Sequence, residues 1–106
     1  MSQDRVRDFY EVMRGGPPSS REAWDYFCEE QAEFTLALLK GELADIAKEA
    51  ADVLFTLYGI CETLGIDLDR AFELVAASNM TKTPNFTGKI TKGPYYVAPD
   101  MSGAVK

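Results

Sequence analysis

The segment from about Glu42 to Leu64 is the feature that most limits how this chain can fold. On a helical wheel its apolar side chains cover most of the circumference, and its polar side chains are confined to one narrow strip. Gly65 then supplies a stop signal of the kind that follows many helices. The pattern predicts a long helix that is mostly buried, and it indicates an all-α fold.

Three further helices are predicted around this segment, because apolar residues recur there at helical spacing. Their approximate ranges are 4–13, 20–40 and 68–80. The run Gly15–Pro18 ends the first helix, and Ser19 with Glu22 has the capping-box spacing that begins the second. Asp67 is a candidate N-cap for the last helix. Short connections between four helices predict a single domain, residues 1–106, with a four-helix bundle-like fold.

The composition changes after Lys82, where Thr, Pro, Gly and Asn become frequent. Residues 83–106 are predicted to form a short C-terminal hairpin or ordered arm, followed by a frayed tail.

Acidic residues are concentrated on the facing sides of the second and third helices. The strip on the third helix carries Asp45, Glu49 and Asp52, with no basic residue between them and Lys48 toward its border. Like charges at this spacing destabilise a helix, so a cation is expected to face them. The second helix carries another acidic stripe, made of Glu22, Glu29 and Glu33 with Glu30 beside it. This stripe adds negative charge instead of neutralising the strip.

If these two helices are antiparallel neighbours joined at Gly41, four carboxylates converge: Glu30, Glu33, Glu49 and Asp52. Hard oxygen ligands of this kind select Mg²⁺, with Mn²⁺ as a substitute. The alternative is a solvated acidic face, since seventeen acidic residues make pairs three apart common. The metal interpretation is favoured because core residues flank Glu49 and Asp52.

Composition excludes several other functions. A net charge of −6 disfavours binding to nucleic acid polymers and to anionic membranes. The chain has no histidine and only two cysteines, Cys28 and Cys61, which excludes a His/Cys zinc site and a His-based catalytic triad. The N-terminus does not resemble a signal peptide, and no apolar run is long enough to cross a bilayer, so a cytoplasmic protein is expected. The hydrophobic content, 46% of 106 residues, predicts a homo-oligomer.

The acidic pairs resemble the hallmark of the MazG-type all-α pyrophosphohydrolases, Glu-x-x-Glu on one helix and Glu-x-x-Asp on the next. Here these are Glu30-Gln31-Ala32-Glu33 and Glu49-Ala50-Ala51-Asp52, followed by Val53-Leu54-Phe55. The resemblance covers most of the chain from about Tyr26 onward. Its later segments, similar to short, phage-like and bacterial members, are Gly65–Asp69, Ser78–Lys82, Gly88–Pro94 and Pro99-Asp100. The compact connector Gly15–Ser20 departs from the family pattern.

This resemblance implies hydrolysis of a nucleoside triphosphate, ribo- or deoxyribo-, to the monophosphate and pyrophosphate, in nucleotide-pool control or house-cleaning. Mg²⁺ would be held by the four carboxylates, which would also be the catalytic residues. A triphosphate carries several negative charges, so carboxylates alone would repel it. The resemblance also implies dimers or a tetramer built as a dimer of dimers, in the cytosol of a bacterium or a phage-infected host.

Four further residues are candidates for substrate binding: Asn79, Lys82, Lys89 and Lys92. The first two are ligand contacts by resemblance, and the two lysines on the arm are placed to close over the triphosphate. The alternatives are that Asn79 caps the fourth helix, that Lys82 favours the helix dipole, and that the other lysines serve solubility.

Two other functions stay open. One is a non-catalytic helical module whose acidic stripes bind a basic partner. The other is a pyrophosphohydrolase on the same scaffold that acts on phosphoribosyl-ATP. Aromatic residues at helical spacing usually belong to the core, so those of the second helix receive no role: Trp24, Tyr26, Phe27 and Phe34. Asp45 and Glu29 flank the predicted ligands and are either supporting ligands or solvated.

Overall fold

The computed structural model describes residues 2–84 and 88–106. Within these ranges the chain is all-helical, with four α-helices and no strand, which confirms the predicted fold class. The helices are α1 (Ser2–Arg14), α2 (Ser20–Lys40), α3 (Leu43–Leu64) and α4 (Leu68–Asn79), followed by a short 3₁₀ helix at Met101–Ala104. Met1 and residues 85–87 of the predicted arm lie outside the described residues.

The chain forms two compact units, Met1–Ile66 and Asp67–Lys106. The prediction of a single domain stays a prediction. Over the described ranges, none of the helices combines the length and the apolar character needed to span a bilayer.

In the first unit, α2 and α3 form the main helix pair. The predicted capping box begins α2: the Ser19 hydroxyl accepts from the Glu22 backbone N–H, and the Glu22 carboxylate accepts from the Ser19 N–H. Gly41 ends the helix in the left-handed conformation (φ 78°), which a residue without a Cβ adopts without strain. Only Gly41 and Glu42 separate the two helices, so α3 runs back antiparallel along α2.

The first helix packs against α3 through its buried face of Gln3, Val6 and Tyr10. Val6 is the largest fully buried side chain of the described residues. Between α1 and α2, the guanidinium of Arg14 forms a 3.0 Å ion pair with Glu22, which ties the end of one helix to the start of the next. The compact connector therefore holds α1 close to α2.

The expectation that α3 is mostly buried is wrong for a single chain. Only Tyr58, Gly59 and Cys61 of this helix are buried, whereas leucines such as Leu43 and Leu54 are exposed. The reason is that two helices of its unit, α1 and α2, pack against it and cover only part of its circumference.

In the second unit, the C-terminal segment is tied to α4 by hydrogen bonds. The Ser78 hydroxyl donates to the Val97 carbonyl (2.6 Å), and the Asp67 N–H donates to the Ala104 carbonyl (2.8 Å). Thr83 and Thr91 form an isolated antiparallel bridge, which is the hairpin element of the predicted arm. The tail is not frayed, because Ala104 is buried within the 3₁₀ helix.

Candidate metal centre

Carboxylates from α2 and α3 converge where the two helices pack against each other. Oxygen atoms of Glu30, Glu49 and Asp52 all lie within 4.8 Å of one another, and all three residues are half-buried. Glu49 and Asp52 are three residues apart on α3 and therefore share a helix face. The antiparallel turn at Gly41 brings Glu30 of α2 opposite that face.

The fourth predicted carboxylate, Glu33, lies beside this group. It is exposed and lies one turn after Glu30 on α2, where its negative charge helps to raise the pKa of Glu30. Glu33 and Glu49 also line a recess of about 320 Å³ together with Lys40 and Asp45. The structure thus brings Glu30, Glu49 and Asp52 together, and it places Glu33 and Asp45 at their border.

Two oxygen atoms of the cluster are buried without a hydrogen-bond partner among the described residues: Oε2 of Glu30 and Oε2 of Glu49. Burying a carboxylate oxygen without a partner is costly. The pKa of Glu30 is raised, first by burial and then by the negative charges of Glu33 and Asp52. The two buried oxygens are therefore left without a donor, and the all-oxygen donor set of the cluster fits Mg²⁺ or Mn²⁺.

One cation of the chain already contacts the cluster. The Lys48 ammonium lies 2.8 Å from Asp52 Oδ2 and 3.3 Å from Glu49 Oε1, and these contacts raise the pKa of Lys48. The interpretation of Lys48 as a border residue missed this role, although the i,i+4 spacing to Asp52 is a signal for it. Its side chain is 66% exposed, so it neutralises the cluster only from the solvent side.

The four candidate substrate contacts belong to the second unit. Asn79 is the last residue of α4, and its backbone carbonyl accepts from the Lys82 N–H (3.2 Å). Lys82 lines a recess of about 490 Å³. The Lys92 ammonium lies 5.2 Å from the centroid of the Tyr96 ring, a cation–π contact. Lys89 is exposed. Their role in substrate binding stays a prediction.

The fold and the donor set define a class of small all-α proteins with a carboxylate cluster between two helices, whose oxygens suit a divalent cation. This chain belongs to the phosphoribosyl-ATP pyrophosphohydrolase family, which matches residues 6–79. The matched range contains α2, α3 and all four carboxylates. No curated protein matches the chain.

Membership of this family indicates a pyrophosphohydrolase with an all-α fold. The reaction class expected from the sequence is thereby confirmed. The narrower resemblance to the MazG group, and the choice of substrate, stay predictions.

Proposed function

We propose that this chain is a Mg²⁺-dependent nucleoside triphosphate pyrophosphohydrolase. It converts a ribo- or deoxyribonucleoside triphosphate and water to the monophosphate and pyrophosphate. The observation that carries the proposal is the cluster of Glu30, Glu49 and Asp52, which has two buried, unpartnered oxygens, on Glu30 and Glu49. Membership of a pyrophosphohydrolase family supports the bond that is cleaved. The MazG-like segments Ser78–Lys82 and Gly88–Pro94 support a nucleoside triphosphate as the substrate.

Each member of the cluster has a role in this proposal. Glu30, Glu33, Glu49 and Asp52 hold the metal ions, and Mn²⁺ is a possible substitute for Mg²⁺. When bound, Mg²⁺ neutralises charge on the polyphosphate and makes the attacking water more acidic. Glu30 or Glu33 accepts the proton of that water as its oxygen bonds to phosphorus and the bond to the leaving pyrophosphate breaks.

The proposal assigns phosphate and sugar binding to Asn79, Lys82, Lys89 and Lys92. It also includes a homo-oligomer, a tetramer assembled as a dimer of dimers. Exposed leucines on α2 and α3 support self-association, because exposed apolar surface often marks an interface: Leu36, Leu39, Leu43 and Leu54.

A second candidate substrate is phosphoribosyl-ATP. The family match favours it directly, because that compound is in the name of the family. The same bond would break, and the products would be phosphoribosyl-AMP and pyrophosphate. The carboxylate cluster serves either substrate equally, because both carry a triphosphate.

The test is pyrophosphate release from a panel of canonical and modified NTPs and dNTPs, and from phosphoribosyl-ATP, with Mg²⁺ and with EDTA. We expect Mg²⁺-dependent release from at least one nucleoside triphosphate, with the monophosphate as the second product. Release from phosphoribosyl-ATP alone would establish the second candidate. No release from any compound, with a melting temperature that Mg²⁺ leaves unchanged, would point to a non-catalytic acidic module.

A further inference from the structure

The first unit contains a cavity that the proposed chemistry does not use, which we call the aromatic groove. It lies among α1, α2 and α3 and measures about 320 Å³, within the range of small-molecule sites. Its aromatic walls are Phe9, Tyr10, Tyr26 and Phe55. Phe9 and Tyr10 belong to α1, Phe55 belongs to α3, and Tyr26 belongs to α2. Because three helices supply its walls, the groove exists only in the folded unit.

Three of these rings support one another. Phe9 packs edge-to-face on Phe55 (5.1 Å between centroids) and on Tyr10 (5.2 Å). Tyr10 is held from behind by Gly59, where an added Cβ would lie only 3.0 Å from the Tyr10 hydroxyl oxygen. These contacts make a wall of fixed shape.

Tyr26 differs from the other three rings of the wall. In the described part of the chain it forms none of the ring pairs, and it is 38% exposed. A half-exposed aromatic face beside a preformed cavity suits stacking on a planar ring. The spacing of Tyr26 within α2 gave no sign of this, because the other rings of the groove come from other helices.

The aromatic groove and the carboxylate cluster share one residue. Glu30 lines the groove and also supplies an oxygen to the cluster. Thr56, four residues after Asp52 on α3, lines the groove as well. A ligand that fills both places has a polyphosphate at one end and an apolar, planar group at the other.

A nucleoside triphosphate has this layout. We propose that the aromatic groove receives the base of the substrate, stacked on Tyr26, while its triphosphate lies at the carboxylate cluster. This inference rests on the proposed function and adds the location of the base.

The charges of the groove also select between the two candidate substrates. Arg14 is the basic residue that lines it, and the Arg14 guanidinium is already bound to Glu22 at 3.0 Å. The other charged residues of the lining are the acids Glu29 and Glu30. An uncharged base meets no penalty here, whereas the extra phosphate that phosphoribosyl-ATP carries on its base side would be repelled. The groove therefore favours a nucleoside triphosphate.

The first experiment measures base binding without metal or turnover. Adenosine, guanosine, cytidine and uridine are titrated into the protein in EDTA, and saturation-transfer NMR follows the base protons. We expect at least one nucleoside to bind, and Tyr26→Ala to weaken it about tenfold because a stacking partner is lost. Tyr26→Phe keeps the ring and should retain binding. Trp24→Ala, an exposed aromatic of the same helix outside the groove, is the matched control.

Two results would overturn the assignment of the groove. One is the absence of binding by all four nucleosides to the wild-type protein. The other is equal nucleoside affinity of the wild-type protein and Tyr26→Ala, when the melting temperature of Tyr26→Ala is also that of the wild type. Pyrophosphate release is measured separately. Release with an unchanged KM in Tyr26→Ala would refute the groove and keep the proposed function. Nucleoside binding without pyrophosphate release would support the groove and refute the proposed function.

Selection by the charges of the groove is tested by comparing the two candidate substrates. We expect kcat/KM for the best nucleoside triphosphate to exceed that for phosphoribosyl-ATP by at least about tenfold, a difference of roughly 1.4 kcal/mol in transition-state binding. The reverse order would show that the groove accepts a charged substituent, and the selectivity inferred here would be wrong.

Discussion

Helix α3 carries two enclosed glutamates whose surroundings differ sharply. The side chain of Glu62 is 8% exposed and accepts hydrogen bonds from Arg7 Nε (2.5 Å) and Gln3 Nε2 (2.8 Å). The side chain of Glu49 is 16% exposed, yet one oxygen has only the solvent-facing Lys48 and the other has no partner among the described residues. Both carboxylate oxygens of Glu62 thus accept hydrogen bonds, whereas one oxygen of Glu49 lacks a donor.

This difference separates a structural acid from a candidate ligand. Around Glu62 the chain supplies its own donors, so the carboxylate fixes α1 on α3 and needs nothing else. Around Glu49 the chain supplies one cation, Lys48, from the solvent side, and the other near groups are the carboxylates of Glu30 and Asp52, which make an incoming cation favourable. The comparison predicts that mutations at the two ends of α3 affect different properties.

The largest effect is expected for Glu49→Gln. The substitution keeps the shape and removes one ligand charge, so pyrophosphate release should fall by about a hundredfold or more, since the metal supplies several kcal/mol of transition-state stabilisation. The measurement is kcat/KM with saturating Mg²⁺. Glu62→Gln is the matched control, and it should keep turnover close to that of the wild type. Equal activity of Glu49→Gln and the wild type would remove Glu49 from the site.

The next test of the difference between Glu49 and Glu62 is the effect of added Mg²⁺ on stability. Mg²⁺ at about a hundred times its Kd should stabilise the wild type by about 2.7 kcal/mol, which is a rise of about 10 °C or more in Tm for a chain of this size. In Glu30→Gln the rise should be much smaller, because a ligand is lost, while the metal-free Tm should increase as like-charge repulsion is relieved. A Mg²⁺ response that is the same in both proteins would contradict the cluster as the binding site.

Much of the fold follows from local signals in the sequence. The capping box at Ser19 and the left-handed glycines Gly41 and Gly65 lie where the pattern placed the helix ends, because caps act through neighbouring backbone groups. The exposure of Leu43 was not predicted from the same pattern. Periodicity shows that a face is apolar, but it does not show whether the same chain covers it.

The candidate site was predictable only in part, for a similar reason. The convergence of Glu30 with Glu49 and Asp52 followed from two helices joined at a short turn, which the sequence shows directly. The aromatic groove required three helices at once, and no periodicity in α2 alone indicates that Tyr26 faces rings from α1 and α3. Satisfaction of Glu62 by Gln3 likewise depends on a partner 59 residues away.

Truncating Glu62, whose carboxylate is fully hydrogen-bonded, should reduce the stability of the fold and leave the activity unchanged. Glu62→Ala removes an acceptor from the buried Gln3 amide and from Arg7, so the free energy of unfolding should fall by about 1 to 2 kcal/mol. Arg7 keeps Asp4 at 2.9 Å, and Gln3 keeps the Ile66 carbonyl at 2.7 Å, which limits the loss. Urea unfolding measures the change. A loss of turnover in the folded variant, with stability unchanged, would reverse the roles assigned to the two glutamates.

Lys48 gives a finer test of the charge deficit at Glu49. The ammonium occupies the solvent side of the cluster, so it competes with an incoming cation. Lys48→Met should therefore tighten Mg²⁺ binding by up to about fivefold, the scale of an exposed ion pair. Calorimetric titration measures it. Arg21→Met removes a positive charge at the start of α2, where Arg21 pairs with Asp25, and is the control for net charge. Weaker Mg²⁺ binding in Lys48→Met alone would show that Lys48 holds the ligands in place instead.

A third acid, Glu22, extends the comparison to the surface and gives the smallest effect. Hydrogen bonds from Arg14 and then from Ser19 lower the pKa of Glu22 from its ordinary 4.5 to about 2. Because the folded-state pKa is the lower one, ionised Glu22 stabilises the fold above about pH 4.5, and this stabilisation is lost as the pH falls toward 2. Glu22→Gln should thus have a lower Tm than the wild type at neutral pH, and the gap should close on acidification. Asp25→Asn controls for the loss of one negative charge on α2. A gap that stays constant from pH 7 to pH 2 would mean that Arg14 and Ser19 do not favour the ionised carboxylate, and the satisfied state assigned to this acid would be wrong.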